Sequence, residues 1–149
     1  MDDATRGRIV IFPLIAFALI LADQVSKHLA DQAGIYTLNK GISFGFFKNI
    51  PNINEIMILI ASLALILFIY LLVFKANEFH THAGFLLLIA GTAGNLIDRL
   101  MYEGVIDFIA IGSFPVFNFA DAYLTIGVFV IIASTLIAER REKRALPSS

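Results

Sequence analysis

Apolar residues fall in four long runs along this chain, and polar residues gather at the ends of those runs. The runs cover residues 9–30, 56–74, 83–102 and 118–138. About 20 apolar residues at a rise of ~1.5 Å each are enough to cross ~30 Å of hydrocarbon, so each run is predicted to be a transmembrane helix. Arg6 and Arg8 precede the first run as they would in a signal peptide. However, Asp23-Gln24 stands where a small-residue cleavage site would be, and further spans follow. Between the first two spans lies a loop, 31–51. In its centre, 35–44, β-branched and aromatic residues flank Asn39 and Gly41, which predicts a short β-hairpin. The stretch 75–82 is a polar loop, 103–115 is a loop punctuated by Gly104, Gly112 and Pro115, and 139–149 is a polar tail.

Composition agrees with this pattern. Of 149 residues, 58% are hydrophobic and 15% charged, against roughly 45–50% and about 25% in soluble domains. Mean hydropathy is +0.82. The expectation is a single-domain, all-α integral membrane protein. A net charge of −1 leaves no basic footprint for nucleic acid. The absence of cysteine excludes disulfides, iron–sulfur ligation and thiol catalysis. The histidines are His28, His80 and His82, with no HExxH pattern, so no metal or cofactor is expected.

The basic residues give the chain an orientation. Arg6, Arg8, Lys75, Arg140, Arg141, Lys143 and Arg144 flank one side of the four spans, against Lys40 and Lys48 on the other. By the positive-inside rule both termini are cytoplasmic. Asp23, Lys27, Asn39, Asn95, Arg99, Asp107, Asn118 and Asp121, scattered in sequence, then share one depth at the extracytoplasmic interface.

A charge at the centre of a bilayer costs at least ~2.5–3.5 kcal/mol, so such a cluster needs a reason. Gly91, Asn95 and Arg99 recur every fourth residue and share a helix face, with Gly94 and Asp98 beside them. The glycines are equally well explained by close helix packing, and Arg99 next to Asp98 by a pair within span three. Asp23 and Lys27 have the i,i+4 spacing of mutual neutralisation. Asn118 followed by Asp121 is the pattern of a helix start, a cap and then an acid in the first turn. Asp107 has no adjacent base, and its apolar neighbours raise a carboxyl pKa. Two such aspartates, Asp107 and Asp121, sharing one proton could hydrolyse a peptide bond. A proton relay through Asp23, Asp98 and Asp107 in a small transporter is an alternative, as is a non-catalytic scaffold. A transporter, however, needs ionisable groups near the midplane rather than at one interface.

Five segments together carry a resemblance: Asp23-Gln24-Val25-Ser26-Lys27, Asn39-Lys40-Gly41-Ile42-Ser43-Phe44, Gly94-Asn95-Leu96-Ile97-Asp98-Arg99, Val105-Ile106-Asp107-Phe108 and Phe117-Asn118-Phe119-Ala120-Asp121. In order and register the chain resembles the bacterial lipoprotein signal peptidases (signal peptidase II). The resemblance implies an aspartic endopeptidase of the bacterial inner membrane. Such an enzyme removes the signal peptide from diacylglyceryl-modified prolipoproteins by cutting before the lipidated cysteine. It assigns Asp107 and Asp121 as the catalytic pair, with Asp23, Lys27, Asn39, Gly91, Asn95, Arg99 and Asn118 supporting them or binding substrate. The implied partners are the lipidated prolipoprotein and membrane lipid, with no nucleic acid, no cofactor and a monomeric protein. The chain departs from the family pattern in a shorter segment between Asp23 and Asn39 and in Ile42-Ser43 where two alanines are usual. The family's extracytoplasmic β cradle is therefore expected to be trimmed, with 31–51 as a mobile flap over substrate.

Overall fold

The computed structural model describes residues 3–41, 50–76 and 79–145. Within them lie four helices, α1 (Asp3–Gln32), α2 (Ile53–Phe74), α3 (Phe79–Tyr102) and α4 (Phe119–Ala145), and two short strands, β1 (Thr37–Asn39) and β2 (Val105–Asp107). All four helices contain a stretch long and apolar enough to cross a membrane. The expected spans are thus present, and α1 and α4 extend beyond them. Residues 139–145, expected as a tail, continue α4 because Glu, Arg and Lys are good helix formers. Lys143 and Arg144 in the last turn also complement the helix dipole.

The helix α3 is the centre of the bundle and is buried on most of its circumference, with Phe85, Leu86, Leu88 and Ala90 pointing to different sides. The most apolar helix, α2, has no fully buried residue; one face, half-buried at Ile58, Ala61, Leu65 and Phe68, packs on α3 and the other is left exposed. Apolar surface gains little by leaving lipid for protein, so helices in membranes associate by close contact through small residues. The seam between α3 and α4 is built this way. A Cβ on Gly84 would stand 2.5 Å from Ile131 Cγ1, one on Gly127 2.9 Å from the Gly84 carbonyl, and one on Gly91 2.5 Å from the Ala120 carbonyl. Near the far end of the seam the hydroxyls of Thr81 and Ser134 meet at 2.9 Å.

The strand β1 forms where the sequence predicts it, but its described partner is β2, from the connection between α3 and α4. The two pair antiparallel, with Thr37 opposite Asp107, Leu38 opposite Ile106 and Asn39 opposite Val105. Gly104 permits this approach, since a Cβ there would sit 3.1 Å from both Leu38 and the Asn39 carbonyl. The second arm of the expected hairpin and residues 42–49 of the expected flap, including Phe44, Phe46 and Phe47, lie outside the described residues. After β2 the chain turns at Gly112, with φ +53°. It returns through paired backbone bonds between Ile109 and Phe117 of 2.8 and 3.1 Å, which deliver Asn118 to the start of α4.

Candidate active site

Asp107 ends β2 and Asp121 occupies the first turn of α4. The residues 118–121 are the helix start that their spacing suggests. The Asn118 Oδ1 accepts from the Asp121 backbone N–H at 2.9 Å, and the Asn118 N–H donates back to Asp121 Oδ2 at 3.4 Å, a reciprocal cap. The same Asn118 side chain also reaches the other aspartate, donating from Nδ2 to Asp107 Oδ1 at 2.7 Å. Both carboxyl groups line one groove of about 450 Å³, otherwise walled largely by apolar side chains such as Phe114, Phe117, Leu124 and Ile126.

Three asparagines surround the two acids, and each is pinned by a group that can only donate. An amide held by its oxygen must present its NH₂ on the other side. The Asn118 oxygen is held by the Asp121 backbone N–H. The Asn39 Oδ1 accepts from the Gly41 backbone N–H at 3.1 Å, so its Nδ2 donates to Asp107 Oδ2 at 3.1 Å. The Asn95 Oδ1 accepts from Lys27 Nζ at 3.1 Å and from Asn118 Nδ2 at 3.2 Å, so its Nδ2 donates to Asp121 Oδ1 at 2.8 Å. Every amide aimed at an aspartate therefore arrives as a donor. An aspartate or a leucine at any of the three positions could not do this.

These donors oppose a strong effect of burial. Desolvation, followed by the nearby charge of Asp121, raises the Asp107 carboxyl to about 6, with the bonds from Asn39 and Asn118 and the charge of Lys27 pulling the other way. The Asp107 side chain is buried, while Asp121 is half-buried. Around them stand Asp23 and Asp98, balanced by Lys27 and Arg99. Four acids against two cations make full ionisation unfavourable in a low-dielectric site.

The remaining expected residues frame this pair. Asp23 and Lys27 form the expected ion pair, at 2.7 Å. Gly91 brings the first turn of α4 against α3, one residue from Asp121. Arg99 donates from Nη2 to the Gly41 carbonyl at 2.7 Å, which fixes the turn that aims Asn39. Its Nη1 is buried with no hydrogen-bond partner among the described residues. Asp98 departs from expectation: its carboxylate turns across the bundle instead of pairing with its neighbour Arg99. It meets Lys27 Nζ at 2.9 Å, the Ile106 backbone N–H at 3.0 Å and Gln24 Nε2 at 2.9 Å. The physical reason is the helix period: adjacent residues point about 100° apart and cannot face each other. Gln24, which in the sequence is only part of the Asp23–Lys27 segment and has no role there, also joins the site; it adjoins Asp23 and lies within one turn of Lys27.

Residues 15–137 match the signal peptidase (SPase) II family. The lipoprotein signal peptidase of Rickettsia akari is 39% identical over 102 residues, covering 66% of this chain and 52% of that protein. The chain thus matches about half the length of that relative. The lipoprotein signal peptidase of Rickettsia canadensis is 37% identical over 138 residues, covering 79% of this chain and 70% of that protein. A bacterial membrane enzyme solved by the in meso method superimposes with a TM-score of 0.81 at 28% identity, covering 93% of this chain and 94% of the other. The matched segment contains all five polar motifs and every side chain of the candidate site. On this evidence the chain belongs to the signal peptidase II family.

Proposed function

We propose that this protein is an aspartic endopeptidase that removes signal peptides from diacylglyceryl-modified prolipoproteins, cutting before the lipidated cysteine. The observation that carries this reading is that Asp107 and Asp121 line the same largely apolar groove, each held by asparagine donors. A groove with apolar walls and a polar floor suits a substrate that is part lipid and part peptide.

We take Asp107, buried and beside the charge of Asp121, as the member that holds the shared proton. Asp121 is the base. A water attacks the scissile carbonyl carbon while Asp121 takes one of its protons, and the Asp107 proton passes to the carbonyl oxygen. When the C–N bond breaks, the proton on Asp121 goes to the leaving amine and the hydroxyl proton returns to Asp107. The pair is thereby restored without a metal or cofactor taking part. We further place both termini in the cytoplasm of a bacterium, with the groove at the outer face of the inner membrane, on the strength of the basic-residue distribution.

The transporter alternative finds less support. Between Gly91 and the Thr81–Ser134 hydroxyl pair, the seam of α3 and α4 contains Gly84, Leu88, Gly127 and Ile131, whose side chains offer no step for a proton. The test is purified protein incubated with a diacylated prolipoprotein. Asp107→Asn and Asp121→Asn should each abolish signal-peptide release in folded protein, and the double variant should be little worse than either. Cleavage by either single variant at near the parent rate would sink the assignment.

A further inference from the structure

The two candidate catalytic aspartates are joined by more than the loop between them. Each is preceded by a residue whose backbone N–H is gripped by a buried carboxylate. Asp98 Oδ2 accepts from the Ile106 N–H at 3.0 Å, one residue before Asp107. Asp23 Oδ1 accepts from the Ala120 N–H at 2.9 Å, one residue before Asp121. A single ammonium, Lys27 Nζ, bridges the two carboxylates at 2.7 and 2.9 Å. Side-chain exposures of 0% for Asp23, 2% for Lys27 and 1% for Asp98 place all three away from solvent and from the groove.

We propose that the Asp23–Lys27–Asp98 triad is a clamp that sets the spacing of Asp107 and Asp121, and that Asp98 and Gln24 are positioning residues for the reaction. This rests on the peptidase reading above. The hydrogen bonding is complete, which is what a rigid spacer requires. Lys27 has three protons, and they go to Asp23, Asp98 and the Asn95 oxygen. The four carboxylate oxygens are all used as well. Gln24 Nε2 donates to Asp98 Oδ1 at 2.9 Å and to Asp23 Oδ2 at 3.3 Å, and also reaches the Gly94 carbonyl at 3.1 Å. Gly94 makes room for the arrangement, since a Cβ there would lie 2.6 Å from Asp23 Oδ2. The third Lys27 bond extends control to chemistry by fixing the Asn95 amide with its NH₂ toward Asp121.

A buried pair whose partners are all matched specifies geometry better than it adds stability. The clamp therefore predicts a loss in kcat with KM little changed, because the groove walls are untouched. The informative variant is Asp98→Asn. The amide it introduces has one acceptor where the site offers donors on both sides, so its NH₂ must confront Gln24 or the Lys27 and Ile106 donors. Misplacement of reacting groups by ~1 Å costs about 100-fold, so kcat should fall about 10- to 100-fold. Exchange of individual backbone amides, followed by NMR in micelles, gives a readout independent of cleavage. The Ile106 amide should lose protection in Asp98→Asn, with Ala120 largely unmoved. Should Asp98→Asn fail to fold, Gln24→Ala should show the same pattern more weakly. A kcat within about threefold of the parent, or an Ile106 amide as protected as before, would overturn the clamp. If the parent itself does not cut a diacylated prolipoprotein, the peptidase reading falls and the amides alone judge the clamp.

Discussion

Replacing Asn39 with alanine tests the electrostatics of the site at a half-buried link. The substitution deletes the donor 3.1 Å from Asp107 Oδ2 and leaves the Asn118 bond at 2.7 Å on the other oxygen. A net hydrogen bond to a charged group is worth ~1.5–3 kcal/mol, and the longer of two bonds belongs at the low end of that range. At about 1.4 kcal/mol per pKa unit, the loss moves the Asp107 carboxyl upward by about one unit from its value near 6. The sign follows from which form the donor favours: Asn39 stabilises the carboxylate, so its removal favours the acid. Activity requires the shared proton, so the limb of the kcat/KM profile that falls as pH rises should shift upward by about one unit. Stability moves in a related way. The native state retains a proton on Asp107 that the unfolded chain releases near the ordinary carboxylate value. The parent therefore becomes less stable as pH climbs from that value through about 6, and the variant extends this decline to higher pH. The assay is prolipoprotein cleavage across a pH series in detergent, with folding checked by circular dichroism. Asn39→Asp, which puts an acceptor where a donor stood, should shift the limb further in the same direction. A limb that stays in place or moves down in folded Asn39→Ala protein would refute the role given to this amide.

Two further expectations concern the bundle. Gly91→Ala places a methyl 2.5 Å from the Ala120 carbonyl and 2.8 Å from Leu124 Cγ, so the first turn of α4 must move. Overpacking of this kind costs ~1–3 kcal/mol; thermal unfolding in micelles should fall accordingly, and cleavage should drop more steeply because Asp121 rides on that turn. Unchanged activity would mean that α3 does not position the acid. Because the chain has no cysteine, orientation can be read from single introduced thiols. In intact cells Ala33→Cys should react with an impermeant thiol reagent and Arg144→Cys should be shielded; the reverse pattern would overturn the proposed topology and the side assigned to the groove.

The sequence alone determined the four spans, because a bilayer demands about 20 apolar residues per crossing and the chain has four such runs. It also determined the Asp23–Lys27 pair and the Asn118–Asp121 helix start, since both rest on helix periodicity, a local property. The gathering of Asn39, Asn95, Asp107 and Asn118 at one depth was legible from the run boundaries. Their contacts were not. The partner of β1 comes from almost 70 positions away in the chain, at β2, and turn residues near Asn39 carry no information about that pairing. Asp98 illustrates the same limit. Its neighbour in sequence is a cation, yet the helix period turns the two apart, and Lys27 on another helix satisfies it instead. Gln24 joins Asp23 to Asp98 for no reason visible in its own segment. Which amide oxygen faces which donor, and so whether an asparagine offers its NH₂ or its carbonyl to an acid, depends on three or four elements meeting at one point. Only the tertiary structure decides that, because a hydrogen-bond direction is fixed by all of its neighbours together and not by any one of them.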